Sequence, residues 1–180
     1  LARSGTTPSG GTGPLSGDHT SGTGMYMHVE DSGGATTSHT VIDLISPCLD
    51  LSNLATPVLK FWICSANNSA TVPDNMLYVD VIDSSGAYNF GPGFGSEADQ
   101  GWYEKTVDLS AYAGDTIQVV FSGTNDNGTF SHDVCIDDVR VLEPVALAGW
   151  PAQAGLAEFD INGATNANGD AVSMYTPGPH

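Results

Sequence analysis

Basic side chains are the scarcest group in this sequence. Four Lys plus Arg stand against 21 Asp plus Glu, which gives a formal net charge of −17 over 180 residues. Charge of this sign repels phosphate backbones and anionic lipid head groups, so nucleic acids and membrane surfaces are poor partners. The acidity suits calcium, which prefers carboxylate and carbonyl oxygens, although an acidic surface also serves solubility alone.

Long apolar runs are absent as well. No stretch approaches the roughly 20 apolar residues that a membrane-spanning helix needs, and no charged start followed by an apolar stretch marks a signal peptide. We therefore expect a soluble chain from which any export signal has been removed, and no insertion into a membrane.

Cysteine is limited to Cys48, Cys64 and Cys135. At most one pair can form within the chain, and the third thiol is then buried, free or bonded to another molecule. The spacing fits no zinc site. Together with little lysine and abundant Gly, Ser, Thr and Asn, the odd cysteine count is typical of an extracellular protein.

Helical periodicity is missing too, because Gly and Pro interrupt most stretches long enough to carry it. Short apolar segments bounded by turn residues replace it. They predict seven strands, at residues 25–30, 40–45, 57–66, 76–83, 101–109, 115–123 and 132–142. Alternation is clearest in the fourth, where Leu77, Val79 and Val81 share one face. The sequence therefore predicts an all-β fold, an antiparallel β-sandwich.

The last predicted strand changes its rhythm in the middle. Its apolar residues keep one phase up to Ile136 and the opposite phase from Val139 onward. A slip of one residue at Asp137 and Asp138 predicts a β-bulge, which re-aims side chains. Two adjacent carboxylates at a bulge are available to a cation; alternatively, one faces solvent and the other caps a loop.

The flanks of the strand pattern differ from it in composition. Residues 1–24 are so rich in Gly, Ser, Thr and Pro that we interpret them as a polar lead-in loop belonging to the sandwich, which occupies residues 25–142. Residues 143–180 lose the strand pattern, and we interpret them as a C-terminal tail that is a linker or an appended strand pair.

The segments "TGPLSGDHTSGTGMYMHVE" and "HDVCIDDVRV", with the strands between them, resemble the MAM family. That family is named for extracellular modules of meprins, neuropilins and receptor tyrosine phosphatases, and similar modules occur in secreted bacterial proteins. The resemblance covers about residues 12–141. It implies a jelly-roll β-sandwich without catalytic function that serves adhesion and recognition in a secreted or cell-surface protein.

The resemblance also implies a cation site, because the "DHT" loop and the carboxylates of the "IDDV" strand lie near each other in such modules. Carried over to this chain, it makes Asp18, Glu30, Asp137 and Asp138 the candidate ligands of a structural Ca²⁺, with backbone carbonyls completing the shell. Asp18 is expected to tie the lead-in loop to the sandwich through the cation or through backbone amides. We expect His19 to form hydrogen bonds rather than to bind metal.

Two departures from the family matter. Its first strand, which carries a cysteine, has no counterpart in a chain that starts "LARSG", and Cys48 is expected to lose its partner with that strand. A missing strand exposes backbone groups and apolar side chains. The tail could fill the gap in its own molecule or in a neighbour by strand addition, which would build a filament.

Catalytic signatures are absent. The histidines are scattered singly, and no nucleophile elbow, P-loop or dinucleotide fingerprint occurs, so we expect no enzyme. Binding is the better hypothesis, since Tyr88, Phe90 and Phe94 form a dense aromatic loop cluster that suits a protein or polysaccharide ligand. Besides an adhesion module, the sequence thus leaves open a carbohydrate-binding module of a polysaccharide-degrading enzyme and a structural filament subunit.

Overall fold

The computed structural model describes residues 2–29, 40–71, 73–125 and 131–144, so Glu30 and residues 145–180 lie outside the described residues. Within these ranges the chain forms eleven strands: β1 Ala2–Arg3, β2 Tyr26–Val29, β3 Thr40–Ile45, β4 Leu49–Asp50, β5 Val58–Cys64, β6 Leu77–Ile82, β7 Tyr88–Asn89, β8 Gly93–Phe94, β9 Tyr103–Asp108, β10 Thr116–Asn125 and β11 Val134–Leu142. A short 3-10 helix spans Ser110–Tyr112. The described residues include no helix with the length and hydropathy of a membrane span.

The strands form two antiparallel sheets that face each other. The first sheet has the order β1-β2-β11-β5-β9; the second has the order β3-β10-β6-β7, with β4 added to β10 and β8 added to β6. The predicted all-β antiparallel sandwich is confirmed, and the arrangement is consistent with a jelly roll. All seven predicted strands are present. The four two-residue strands were not predicted, because two residues cannot show alternation.

The core lies between the two sheets and consists of the apolar side chains that alternate along the strands in the sequence. Phe61 is its centre, with edge-to-face contacts to Phe121 at 5.2 Å and Phe94 at 5.5 Å between ring centroids. The predicted inward face of β6 is confirmed, since Leu77, Val79 and Val81 are all buried. Each such side chain stabilises the fold by about 1.5–3 kcal/mol.

The predicted bulge in β11 is confirmed. Asp137 pairs with Trp62 and Arg140 with Lys60, so three steps along β11 match two along β5. Asp138 lies within the bulge, and its backbone adopts the left-handed region with φ of 48°. Before the bulge the odd-numbered residues of β11 face outward, and after it Arg140 does.

The lead-in loop packs on the outer face of the first sheet. The Ala66 amide donates to the carbonyl of Thr12 (3.1 Å), and the Trp102 indole donates to the carbonyl of Gly17 (3.1 Å). The Tyr26 hydroxyl donates to the carbonyl of Gly5 (2.8 Å). These bonds bury a polar layer that includes Thr12 and cover a small apolar cluster beneath it.

An apolar cleft opens between the two sheets beside β2 and β3. It amounts to about 440 Å³ with its open mouth counted, and Val29, Ile42, Leu44 and Phe121 are among its lining residues. At the edge of the first sheet, β1 pairs with Met27 and Tyr26 of β2. Strand addition by the tail concerns residues outside the described ranges, so that hypothesis stays a prediction.

Candidate functional site

The structure brings the lead-in loop onto the bulge of β11. The His19 amide donates to Asp137 Oδ2 (2.8 Å), and His19 Nδ1 lies 2.7 Å from Asp138 Oδ2. The Thr20 hydroxyl donates to the same Asp138 oxygen (2.5 Å). We call these residues with Asp18 the loop–bulge junction. It joins two segments more than a hundred residues apart and so fixes the loop to the sheet.

His19 is also held by its ring. The imidazole stacks on the indole of Trp62, with centroids 3.7 Å apart and planes 15° apart. Trp62 is the outward neighbour of the core residue Phe61, and it lies opposite Asp137 across the strands. The histidine is therefore clamped between an indole and a carboxylate.

Asp18 turns into its own loop rather than toward the bulge. Its oxygens accept from the Ser21 amide and hydroxyl (both 3.0 Å) and from the Gly24 amide (2.5 Å). Burial alone would raise the pKa of Asp18, but the bonds from Ser21 and Gly24 outweigh it and lower that pKa. A Cβ at Gly24 would lie 2.9 Å from an Asp18 oxygen, so a larger residue there would displace the carboxylate from its hydrogen-bond donors.

The same balance holds at Asp138. Burial raises the pKa of its carboxyl, while the hydrogen bonds from Thr20 and His19 and the charge on Arg140 lower it overall. Both carboxylates are therefore ionised and already hydrogen-bonded at neutral pH.

A Ca²⁺ shell needs about six to eight oxygens directed at one point. Within the described ranges, no three His, Cys, Asp or Glu side chains converge on such a point. The oxygens of Asp18, Asp137 and Asp138 accept hydrogen bonds from the loop, and Glu30 lies outside the described residues. As they lie, these residues do not form a calcium shell, and Ca²⁺ binding stays a prediction.

A Ser–His–Asp arrangement, with Ser65 and His132 buried and Asp74 partly exposed, lies near the lead-in loop. Ser65 Oγ is 2.6 Å from His132 Nε2, and Asp74 Oδ1 is 3.9 Å from His132 Nδ1. The Asn75 amide donates to His132 Nδ1 (2.8 Å), so the ring proton sits on Nε2 and points at the serine. A general base would need an unprotonated Nε2 to accept the proton of the serine hydroxyl, and this tautomer has the proton there. Ser65 is also fully buried. Burial lowers the pKa of His132, which keeps the ring neutral.

The second candidate site is the outer face of the second sheet. Tyr88 and Phe90 lie there with ring centroids 5.2 Å apart, and they are 42% and 88% exposed. The outward residue Tyr78 of β6, and Val41 and Ile45 of β3 on the far side of β10, are exposed on the same face of the sheet. We call these five residues the aromatic face.

Asp80 supports the aromatic face from beneath. This buried carboxylate accepts from the Tyr88 hydroxyl (2.9 Å), the Ser122 hydroxyl (3.3 Å) and the Gly91 amide (2.8 Å). A Cβ at Gly91 would lie 1.8 Å from the Val79 carbonyl oxygen, so only glycine lets the loop press on β6. Phe90 is therefore presented on a loop that is fixed on both sides.

Charge around the aromatic face is sparse. All four basic side chains lie elsewhere: Lys60 and Arg140 bind Glu104 at 2.8 and 2.6 Å, Lys105 binds Glu97 at 2.5 Å, and Arg3 donates to a lead-in carbonyl. Asp43 is exposed on this face, beside Ser122. The aromatic face is therefore apolar, and Asp43 is the acidic group exposed beside it.

Phe94 does not join the aromatic face. It pairs with the core residue Leu77 and packs edge-to-face on Phe61, so it faces the other sheet, and the ammonium of Lys105 lies 5.9 Å from its ring centroid. The sequence cluster of Tyr88, Phe90 and Phe94 is thus divided between two sides of one sheet. Asp80 was missed by sequence reasoning, although a lone acid in the run "LYVDVI" was its signal.

Comparisons with known proteins agree with this architecture. A model of the family described as "MAM domain, meprin/A5/mu" matches residues 3–145. The K1 cleaved adhesin domain of Lys-gingipain from Porphyromonas gingivalis W83 is 21% identical, with a TM-score of 0.51 over 79% of this chain and 83% of that chain. This similarity bears on the fold alone.

Two further solved structures have lower TM-scores. The K3 cleaved adhesin domain of the same Lys-gingipain is 20% identical, with a TM-score of 0.48 over 78% of this chain and 95% of that one. A carbohydrate-binding module, TmCBM61 in complex with β-1,4-galactotriose, is 12% identical, with a TM-score of 0.46 over 67% and 71%.

Proposed function

This chain belongs to the MAM domain family, and from that premise we propose that it is a non-catalytic extracellular adhesion and recognition module that binds its partner through the aromatic face. The observation that carries the proposal is Phe90, which is 88% exposed on a loop fixed by Asp80 and Gly91. A large exposed apolar side chain on a rigid support is characteristic of an interface anchor.

A protein surface is the partner that this face suits best. Its exposed side chains are aromatic or aliphatic, as in the centre of protein interfaces. The polar groups of Asp80 and Ser122 lie beneath Tyr88 and already bond to it, so they offer little to the hydroxyl groups of a sugar. The net charge of −17 favours an apolar or basic partner surface over an acidic one.

A neutral polysaccharide is the second candidate, because the exposed ring of Phe90 can stack on the apolar face of a sugar ring. The net charge of −17 disfavours polysaccharides that carry carboxylates or sulfates. This candidate corresponds to the carbohydrate-binding role that the sequence leaves open.

A binding panel tests both candidates. Immobilised wild-type module is presented with a second copy of the chain, fibronectin, collagen, and the neutral polysaccharides xyloglucan, mannan and galactan. Phe90→Ala should weaken binding of a protein probe at least about tenfold, the loss expected of an interface anchor. Leu15→Ala, at an exposed leucine of the lead-in loop, is the matched control and should change nothing.

The possible results distinguish a protein partner from a polysaccharide ligand. Retention of a polysaccharide alone, abolished by Phe90→Ala, would replace the protein partner by the second candidate. Binding that survives Phe90→Ala but is lost on changing another surface would refute the aromatic face as the site. A module that binds no member of the panel would count against the proposal as a whole.

A further inference from the structure

Cys64 and Cys135 lie directly opposite each other on β5 and β11, the neighbouring central strands of the first sheet. Both project from the outer face and are fully buried, in a small cluster with Tyr26 against which Trp102 packs. The lead-in loop covers this cluster through the bonds of Tyr26 and Trp102 to its carbonyls. Cys48, by contrast, is exposed.

We propose that Cys64 and Cys135 form a cross-strand disulfide when the module folds in an oxidising compartment, with Cys48 as the odd thiol. Directly opposite residues of antiparallel strands have Cα atoms about 4.5–5.5 Å apart, which falls within the range of about 4.4–6.8 Å that a disulfide spans. Their side chains lie on the same face of the sheet. The bond would replace a weak hydrogen bond of 3.5 Å from the Cys64 thiol to the Gln100 carbonyl.

The oxidant would be a small disulfide such as oxidised glutathione. One cysteine thiolate attacks it, giving a mixed disulfide and one glutathione thiolate, and the second cysteine then displaces the other glutathione. The two protein thiols lose two protons and two electrons in total, and the glutathione disulfide becomes two thiols.

The surroundings of Cys64 decide when this step takes place. Burial, with the negative charges of Asp99, Glu97 and Asp133, raises the pKa of its thiol to about 12. The reactive thiolate is therefore scarce once the lead-in loop has closed, and the bond should form earlier, while the chain folds. After closure the same cover shields the disulfide from reductants.

Trypsin resolves the pairing without any substitution. The four basic residues place Cys48, Cys64 and Cys135 on three separate tryptic peptides, residues 4–60, 61–105 and 106–140. The full chain is refolded with oxidised and reduced glutathione, its remaining thiols are alkylated with iodoacetamide in denaturant, and the digest is weighed by mass spectrometry. Peptides 61–105 and 106–140 should appear as one disulfide-linked species, with 4–60 alkylated.

Two controls sharpen the test. Cys48→Ser should leave the linked species unchanged, and folded reduced protein exposed to oxidised glutathione should form it far more slowly than refolding protein does. The bond closes a loop of about 70 residues, so the oxidised module should melt on the order of 10 °C above the reduced one. Separate alkylated peptides 61–105 and 106–140, or a link to 4–60, would overturn the proposal.

Discussion

The loop–bulge junction and the aromatic face are both built on a carboxylate that holds a loop, but the first covers its aromatic side chain and the second exposes it. In each, a carboxylate on a central strand holds a loop through amide and hydroxyl donors: Asp138 holds Thr20, and Asp80 holds Gly91. At the junction the polar groups bond to one another and the adjacent Trp62 is covered by His19. At the aromatic face the polar groups lie beneath, and Phe90 is left in solvent.

Binding in this fold is better indicated by exposed apolar groups than by acid and histidine motifs. Acid and histidine motifs attract notice in the sequence, yet at the junction they bond mainly within the chain, which is a structural role. The exposed aromatic side chain has less distinctive sequence signals, but its exposure has no structural explanation. A buried polar support beneath an exposed apolar group is the better indicator of a recognition surface.

The largest expected effect comes from breaking the support of the aromatic face. Asp80→Ala removes the buried carboxylate that accepts from the Gly91 amide and from the hydroxyls of Tyr88 and Ser122, which should lower the free energy of unfolding by about 3 kcal/mol. Urea denaturation measures it, and binding to the panel should fall with it. Asp43→Ala, at the exposed acid of the same face, should change stability by less than about 0.5 kcal/mol.

Calcium binding would change the comparison, because the junction would then be a ligand site. If Asp18, Glu30, Asp137 and Asp138 bind Ca²⁺ as the sequence predicts, a hundredfold excess over Kd stabilises the fold by about 2.7 kcal/mol. Calorimetry with EDTA and then with added Ca²⁺ measures it. A melting temperature that neither reagent moves would leave hydrogen bonds as the tie between loop and bulge.

Breaking the junction itself should separate stability from binding. His19→Ala removes the stack on Trp62 and the bond to Asp138, so the free energy of unfolding should fall by about 1–2 kcal/mol. Binding to the panel should stay at the wild-type level in the same preparation. A parallel loss of binding would mean that the ligand also contacts the lead-in loop.

Acid should weaken the fold in two stages. The folded pKa of His132 lies below its ordinary 6.5, so the unfolded chain binds the extra proton first, and stability is lost as pH falls below about 6.5, by at most about 1.4 kcal/mol per pH unit. The lowered pKa values of Asp18 and Asp138 preserve stability down to their ordinary 3.8, and it is lost below that value. Melting temperatures between pH 3 and 8 follow both stages. His132→Gln should flatten the upper stage alone.

Periodicity in the sequence was sufficient to predict the fold. Alternation located seven strands, and the phase change around Asp137 located the bulge, because a period of two is a local property of the chain. Register between strands is not local. The sequence therefore could not show that Phe94 and Phe90 lie on opposite sides of a sheet, that Asp80 is buried beneath Tyr88, or that Cys64 faces Cys135.

The extra residue at Asp138 shifts the alternation of inward-facing and outward-facing side chains by one residue within β11. Upstream of it, Ile136 faces the core, and downstream Arg140 reaches Glu104 on the outside. If β11 instead kept a regular pleat through Asp138, the guanidinium of Arg140 would be directed at the core. Deleting Asp138 would thus leave Arg140 opposite Lys60 in a regular ladder, and the loss would fall on the lead-in loop, whose His19 and Thr20 bond to the Asp138 carboxylate.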